Sequence, residues 1–324
     1  MDKILITGTS GFIGQELSRM LLSDKHEIHQ IHHLDRYVTG KYRHYQNEKT
    51  DKVTKHYVDL KDEYALVSAV RELSPDYIIH LASISPVAYS YDNYMEVSNV
   101  NYLASINLAE AARKIPNFKQ FIFAGTSEEY GMTLTDKKHK LTESAELKPN
   151  SPYAVAKVSA DLYLQYMGQA YGFPYTVIRP FNTFGRKDND HFFIEHTITQ
   201  MLKNPNGEVL LGDPATVRDW LYVDDHVSGY MKALGNKKAI GQKINICTGK
   251  GYTTRETADI IAKMAGFDGR IVWNSVKKRP LDAKILIGDN TKARKLLGWE
   301  PKYDLGKGLE KTISFWKGKM KLKE

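Results

Sequence analysis

Residues 3–14 read KILITGTSGFIG, and the next eight, QELSRMLL, continue with the apolar spacing of an amphipathic helix. A short β-forming run, a turn with three glycines and a helix in direct succession open a parallel βαβ unit. Glycines let such a turn bend tightly and approach a pyrophosphate, while the free N–H groups and positive dipole end of the helix favour an anion. Gly8, Ser10, Gly11, Phe12, Ile13 and Gly14 are therefore the candidate residues around a dinucleotide diphosphate, in the spacing GxxGxxG.

Outward from this turn, β-rich runs alternate with helical periodicity. Strands are expected at KILIT from Lys3, EIHQIHHL from Glu27, VTKHYVD from Val53, YIIHLA from Tyr77, QFIFAG from Gln120 and YTVIRP from Tyr175. Helices are expected from Phe12, Asp62, Asn93 and Pro152. That alternation predicts an α/β fold, a Rossmann-type doubly wound parallel sheet with a smaller α/β substrate lobe. Residues 1–180, joined by 220–249, are expected to form the dinucleotide-binding part, and 181–324 mainly the substrate lobe. In the latter, helices are expected after Tyr222, after Thr254, near Thr291 and before Trp316.

The 324 residues, 42% of them hydrophobic, suffice for such a core. The formal charge of +8 is spread along the chain apart from a run at Lys317–Lys323, which argues for a solvated tail over a nucleic-acid surface. Without a long apolar stretch or a leader before Lys3, a soluble cytoplasmic protein with no membrane partner is expected. A single cysteine, Cys247, excludes an internal disulfide and a cysteine metal site. His26, His29, His32 and His33 straddle the second strand without carboxylates at ligand spacing, so they read as strand residues and no metal is expected.

Asp35, ending the second strand, would accept hydrogen bonds from an adenosine ribose and favours NAD; Arg36 beside it leaves the 2′-phosphate of NADP open. Tyr-x-x-x-Lys occurs at five places, but only Tyr153 and Lys157 lie on a long expected helix, opened by Ser151-Pro152. Four residues apart they share a helix face, where the ammonium would lower the phenol's pKa and make a base of it. Thr126-Ser127-Glu128-Glu129-Tyr130-Gly131 follows the fifth strand at its carboxyl end, where ligands sit in open α/β sheets. There Thr126 could share a hydroxyl proton with Tyr153, and Glu128 could reach a carbon acid.

With TGTSGFIG, Asp59-Leu60, His80-Leu81-Ala82, Asn99 in SNVN, TSEEYG, SPYAVAK, Arg179-Pro180-Phe181-Asn182 and Arg218-Asp219-Trp220, the chain resembles the extended short-chain dehydrogenase/reductases that act on nucleotide sugars, over essentially its whole length. The resemblance implies Asp59 and Leu60 near the adenine, Leu81, Ala82, Asn99, Tyr153 and Lys157 around the cofactor, and Ser127 near the sugar. It places Asn182, Arg218 and Arg279 of KRPLD on the substrate diphosphate. It also implies a tightly bound, recycled NAD and a homodimer paired through the helices from Asn93 and Pro152, with Leu162, Leu164 and Met167 at the contact. Departures from the common pattern are Ser83 after His80-Leu81-Ala82, Tyr102 after Asn99, and Gly125 where a serine is more usual.

The resemblance implies oxidation of a sugar C4 hydroxyl, with Tyr153 taking its proton. Glu128 stands where 4,6-dehydratases of this group carry the base for C5, and TSE is closest to GDP-mannose 4,6-dehydratase. A 4,6-dehydratase is therefore expected, with Thr126, Glu128, Tyr153 and Lys157 as catalytic residues. Alternatives are a UDP-glucuronate decarboxylase using Arg186 or Lys187 to hold the sugar carboxylate, a 4-epimerase or 4-ketoreductase, and a non-catalytic dinucleotide sensor.

Overall fold

The computed structural model describes residues 2–23, 30–35, 53–136, 138–187, 189–276 and 279–321, with 30–35 given by their backbone. His26, His29 and Arg36 lie outside the described residues, and the side chain of Asp35 with them.

The first half forms β1 (Lys3–Thr7), α1 (Phe12–Ser23), β2 (Gln30–Asp35), β3 (Val53–Tyr57), α2 (Glu63–Leu73), β4 (Tyr77–His80), α3 (Val87–Asp92), α4 (Tyr94–Ser98), α5 (Ala104–Arg113), β5 (Gln120–Ala124), α6 (Pro152–Tyr171) and β6 (Tyr175–Pro180). The rest adds β7 (Asn182–Phe184), α7 (Phe193–Lys203), β8 (Glu208–Leu210), β9 (Val217–Tyr222), α8 (Val223–Ala233), β10 (Gln242–Ile246), β11 (Gly251–Thr253), α9 (Thr254–Ala265), β12 (Arg270–Val272), β13 (Ile285–Leu286), α10 (Thr291–Leu297) and α11 (Leu305–Lys321).

Seven parallel strands run in the order β10-β6-β5-β4-β1-β2-β3. Continuous apolar runs build this sheet because both faces are covered. Ile4 and Ile6 pack with Leu17 of α1 and Val227 of α8, whereas Leu5 between them packs on the opposite face with Val70 of α2 and Leu108 of α5. Leu164 and Met167 of α6 belong to that second core, so they are not on the outer face expected of them; Leu162 is, at 52% exposure. A three-residue step along a helix keeps one face, and that face here points inward.

The chain reverses its direction of travel across the sheet between β1 and β4, where a crevice opens at their carboxyl ends. Hydrogen bonds fix this point. Ala82 N–H donates to Thr7 Oγ1 at 3.2 Å, and Thr7 Oγ1 meets His80 Nδ1 at 2.7 Å. His80 Nε2 meets Ser105 Oγ at 2.9 Å, and Ser105 donates onward to the Asn101 carbonyl. With the Ser105 proton so engaged, His80 carries its own proton on Nε2. Burial, then the nearby Lys157 charge, pulls the imidazole down to about 3, so it stays neutral.

The helix expected from Asn93 is interrupted. Residues 99–103 form one wide turn between α4 and α5, a geometry that inserts a residue into the helical ladder. The fully buried Asn101 in this turn accepts from Ile84 N–H at 2.8 Å and donates to Ile84 O at 3.0 Å, pinning the loop after β4.

After β6 a four-stranded sheet (β11-β9-β13, with β7 on β9) and the β8–β12 pair are built, and between them β10 returns to pair with β6. No described helix is long and apolar enough to cross a membrane.

Candidate active site

The glycine turn is shaped by close contacts. Gly8 has φ +75°, and a Cβ on it would lie 2.6 Å from the Ala82 nitrogen; one on Gly14 would lie 2.2 Å from the Gly8 oxygen. Only bare backbone lets β1, the first turn of α1 and the end of β4 meet here. α1 has no acidic residue in its first turn, so its positive end is uncompensated. Two orphaned polar atoms bear on whether a dinucleotide and its substrate fit: Ser83 Oγ, directly after Ala82, and Asn182 Oδ1, opening β7, are buried without a hydrogen-bond partner. Buried polar groups are rarely left so, and a polar ligand would satisfy both. Leu60 is buried in the core beneath α2, while Asp59 is exposed and accepts from Lys61 N–H.

β5 releases the turn 126–129 at the neighbouring strand end. Thr126 Oγ1 accepts from Glu128 N–H at 3.2 Å and Thr126 N–H donates to Glu129 Oε1 at 2.9 Å, a reciprocal cap that holds the hydroxyl in place. Ser151 caps α6 by accepting from Ala154 N–H, and Pro152 occupies the first turn, which fixes Tyr153 facing that cap. Thr126 hydrogen-bonds the Tyr153 phenol.

Burial is the largest influence on Tyr153 and pushes the phenol above its ordinary value; the Thr126 hydrogen bond opposes this, and the Glu128 and Glu129 carboxylates add to the rise. The expected lowering by Lys157 is not seen. Lys157 Nζ lies 4.3 Å from the centre of the Phe123 ring, and the carboxylates acting on it are Glu129 and Asp161. Helical spacing put both side chains on one face, but a long flexible stem let the ammonium turn under β5 toward those charges. Desolvation, the leading cause, brings Lys157 down to about 8.

Glu128 is 8% exposed, and among the described residues no cation pairs with it. Its charge is felt at Tyr153 and at Tyr91 of α3. Tyr91 donates to Asn150 O at 3.0 Å and to Leu281 O at 3.4 Å, and also senses Arg279 and Asp282. Arg218 Nη2 donates to Asp282 Oδ1 at 2.9 Å, with Arg279 Nη1 3.8 Å from the same oxygen. The structure thus brings Thr126, Glu128 and Tyr153 together, gathers Arg218 and Arg279 on Asp282, and sets Tyr91 between the two groups. Asp282 was legible three residues after Arg279; Tyr91 and Asn101 carried no signal in the sequence.

The cations considered for a sugar carboxylate are committed elsewhere. Arg186 donates to Glu16 at 3.0 Å, to Asp224 at 2.6 Å and to Tyr222. Lys187 is 5% exposed, enclosed between the Phe192 and Phe12 rings with Glu195 3.9 Å away.

A family model described as GDP-mannose 4,6 dehydratase matches residues 5–312. The chain belongs to this family of nucleotide-sugar dehydratases and epimerases, within the extended short-chain dehydrogenase/reductases. The UDP-glucose 4-epimerase of Mycolicibacterium smegmatis is 30% identical over 320 residues, covering 98% of this chain and 99% of that one. The structure of UDP-glucose 4-epimerase from Thermotoga maritima with UDP-glucose matches at a TM-score of 0.87 and 28% identity, over 98% of this chain and 99% of its own. DesIV, the dTDP-glucose 4,6-dehydratase of Streptomyces venezuelae, with NAD bound, matches at 0.87 and 25%, over 99% and 98%. Dehydratases and epimerases of the family thus share this fold, and the residues around Tyr153 must separate them.

Proposed function

We propose that this member of the family is a nucleotide-sugar 4,6-dehydratase that binds NAD along the Gly8–Gly14 turn and the end of β4. Asn182, Arg218 and Arg279 receive the diphosphate of the sugar nucleotide. NAD, when bound, takes up a hydride from C4 of the sugar and gives it back at C6.

Tyr153 accepts the C4 hydroxyl proton, with Thr126 orienting that hydroxyl and Lys157 supplying positive charge one turn along α6. The ketone so formed acidifies the C5 hydrogen, which Glu128 removes. Residue 127 is a serine, so the proton that leaves with the C6 hydroxyl as water comes from Glu128 itself. The proton held by Tyr153 then restores the C5 hydrogen, and the product is a 4-keto-6-deoxy sugar.

The observation that carries this reading is the Glu128 carboxylate, buried beside the phenol with no cation paired to it among the described residues. Its charge opposes ionisation of Tyr153, the step that dehydratases and epimerases share. A carboxylate held there is explained by a second proton transfer next to C4. A 4-epimerase is the second reading, supported by the 30% identity to the M. smegmatis enzyme; there Glu128 would stand idle.

A homodimer is part of the proposal. Val155, Leu162 and Tyr166 line one exposed face of α6, with Met95 and Leu103 exposed on the neighbouring segment. Turnover of UDP-, GDP- and dTDP-hexoses in heavy water, read by mass spectrometry, tests the reaction. Loss of one water with deuterium at C5 is expected; an isomer of unchanged mass without C5 deuterium would replace the dehydratase by the epimerase.

A further inference from the structure

Three ionisable groups, none of them used by the reaction above, lie beneath the Tyr153–Lys157 face. Glu129 and Asp161 are fully buried and Arg179 nearly so. Arg179 spends two donors on one oxygen: its Nε and Nη2 lie 3.0 Å and 2.6 Å from Asp161 Oδ2. Glu129 Oε2 sits 2.8 Å from the same Nε, yet makes no hydrogen bond with it, because that N–H is directed at Asp161. The other Glu129 oxygen holds the Thr126 N–H.

Glu129 is thus tied at one oxygen and without a hydrogen-bond partner at the other, and its carboxyl interacts with that of Asp161, whose Oδ2 shares the same Arg179 Nε. Two carboxylates in contact away from water cannot both stay ionised cheaply. A proton on Glu129 Oε2 turns the orphan into a donor to Asp161 and leaves Asp161 to balance Arg179.

We propose that Glu129 is a positioning residue for the chemistry at Tyr153: it shares a proton with Asp161, anchors the Thr126 turn, and by gaining or losing that proton sets the charge of Lys157. This rests on the reading of Tyr153 as the base. Other groups face the cluster: Glu128 on the same turn, Tyr153 on α6, Tyr175 on β6 and His80 on β4. Tyr130 lies 3.2 Å from Arg179 Nη1, with Glu143, Lys243 and Lys292 beyond it. His80 is neutral, and Tyr130 and Tyr175 are pushed up by burial, so the protons this cluster exchanges from neutral to mildly alkaline pH are those of Glu129 and Lys157. Burial is the leading cause that raises this carboxyl, and its ionised form helps Lys157 keep its proton.

Glu129→Gln is the test. The amide keeps an acceptor for Thr126 N–H and a donor for Asp161, but never becomes negative. Activity at pH 6 is expected to stay near that of the parent, while the alkaline limb of kcat/KM moves to lower pH by about one unit, as loss of a neighbouring charge requires. An unmoved limb overturns the proposal. Infrared titration of the protein without substrate gives a readout that does not depend on the reaction. A protonated carboxylic acid component that disappears at high pH is expected in the difference between the parent and Glu129→Gln, over the bands of other raised carboxyls such as Asp219 that both proteins share; its absence from that difference overturns the shared proton. Should Glu129→Gln not fold, Asp161→Asn serves: the Glu129 band should fade at lower pH once its charged neighbour is gone, and an unchanged titration refutes the pairing. If no sugar nucleotide turns over, the assigned reaction fails while the infrared result still decides the proton.

Discussion

A Cβ built on Gly125 would lie 2.7 Å from Oε1 of Glu129. The same carboxylate oxygen accepts the Thr126 N–H, so it cannot withdraw without releasing the turn that carries the threonine. Val177 and Arg179 close the other sides, at 3.0 and 3.1 Å. Gly125, where related sequences more often have serine, and the buried glutamate four residues on are two halves of one packing solution.

Gly125→Ser should therefore lose about 1–3 kcal/mol of stability through overpacking. Shrinking the obstacle in Gly125→Ser/Glu129→Ala should recover part of that loss relative to the sum of the two single changes, a coupling expected of residues in contact. Urea unfolding of the four proteins measures it; strictly additive losses would show that the two positions do not compete for space.

Tyr153→Phe removes the group that takes the C4 proton and keeps the ring within its apolar surroundings of Val97, Ala156 and Tyr102. Turnover should fall by about 10²–10⁴-fold, the usual worth of a general base, with thermal stability and NAD binding preserved. Near-parental turnover would take the phenol out of the reaction.

Glu128→Gln separates the two proton transfers. Deuterium should no longer enter C5, while C4 oxidation persists and appears as reduced nicotinamide absorbance. The parent carboxylate raises the Tyr153 phenol, so its removal lets Tyr153 ionise at lower pH, and the acid limb of C4 oxidation should move down by up to about one unit. Persistent C5 exchange in this variant would place the base elsewhere.

How far such sites are legible in sequence depends on the range of the forces that build them. KILITGTSGFIG is a local pattern: strand, turn and helix are set by neighbours within a dozen residues, and β1 and α1 follow. Ser151-Pro152 likewise singled out the Tyr153 helix. The direction taken by Lys157 was not legible, because the charges that draw it, Glu129 and Asp161, come from two different elements, one of them the turn after β5. Leu164 and Met167 mislead for a related reason: periodicity identifies an apolar face but not which layer covers it. Tyr91 reaches its site through Asn150 and Leu281, partners that only the assembled fold brings near.

Asp219 offers a test of the strand that carries Arg218. Its carboxylate accepts from Thr248 N–H at 2.9 Å, Thr248 Oγ1 at 2.6 Å, Gly249 N–H at 2.8 Å and Gly288 N–H at 3.3 Å, tying β9 to the ends of β10 and β13. Asp219→Asn turns an amide nitrogen toward one side of this donor set, so about 1–3 kcal/mol should be lost as a buried donor goes unmet. The pH dependence gives a second readout. Burial is the leading cause and raises this carboxyl to about 6 in the folded protein, above its unfolded value. The proton is thus held more tightly when folded: its contribution is complete below about pH 4 and is lost as pH rises through 6. Asp219→Asn has no proton to lose there, so the difference in unfolding free energy between parent and variant should narrow from pH 4 to 6. A constant difference across that interval would mean that the four donors, not burial, govern the charge of Asp219.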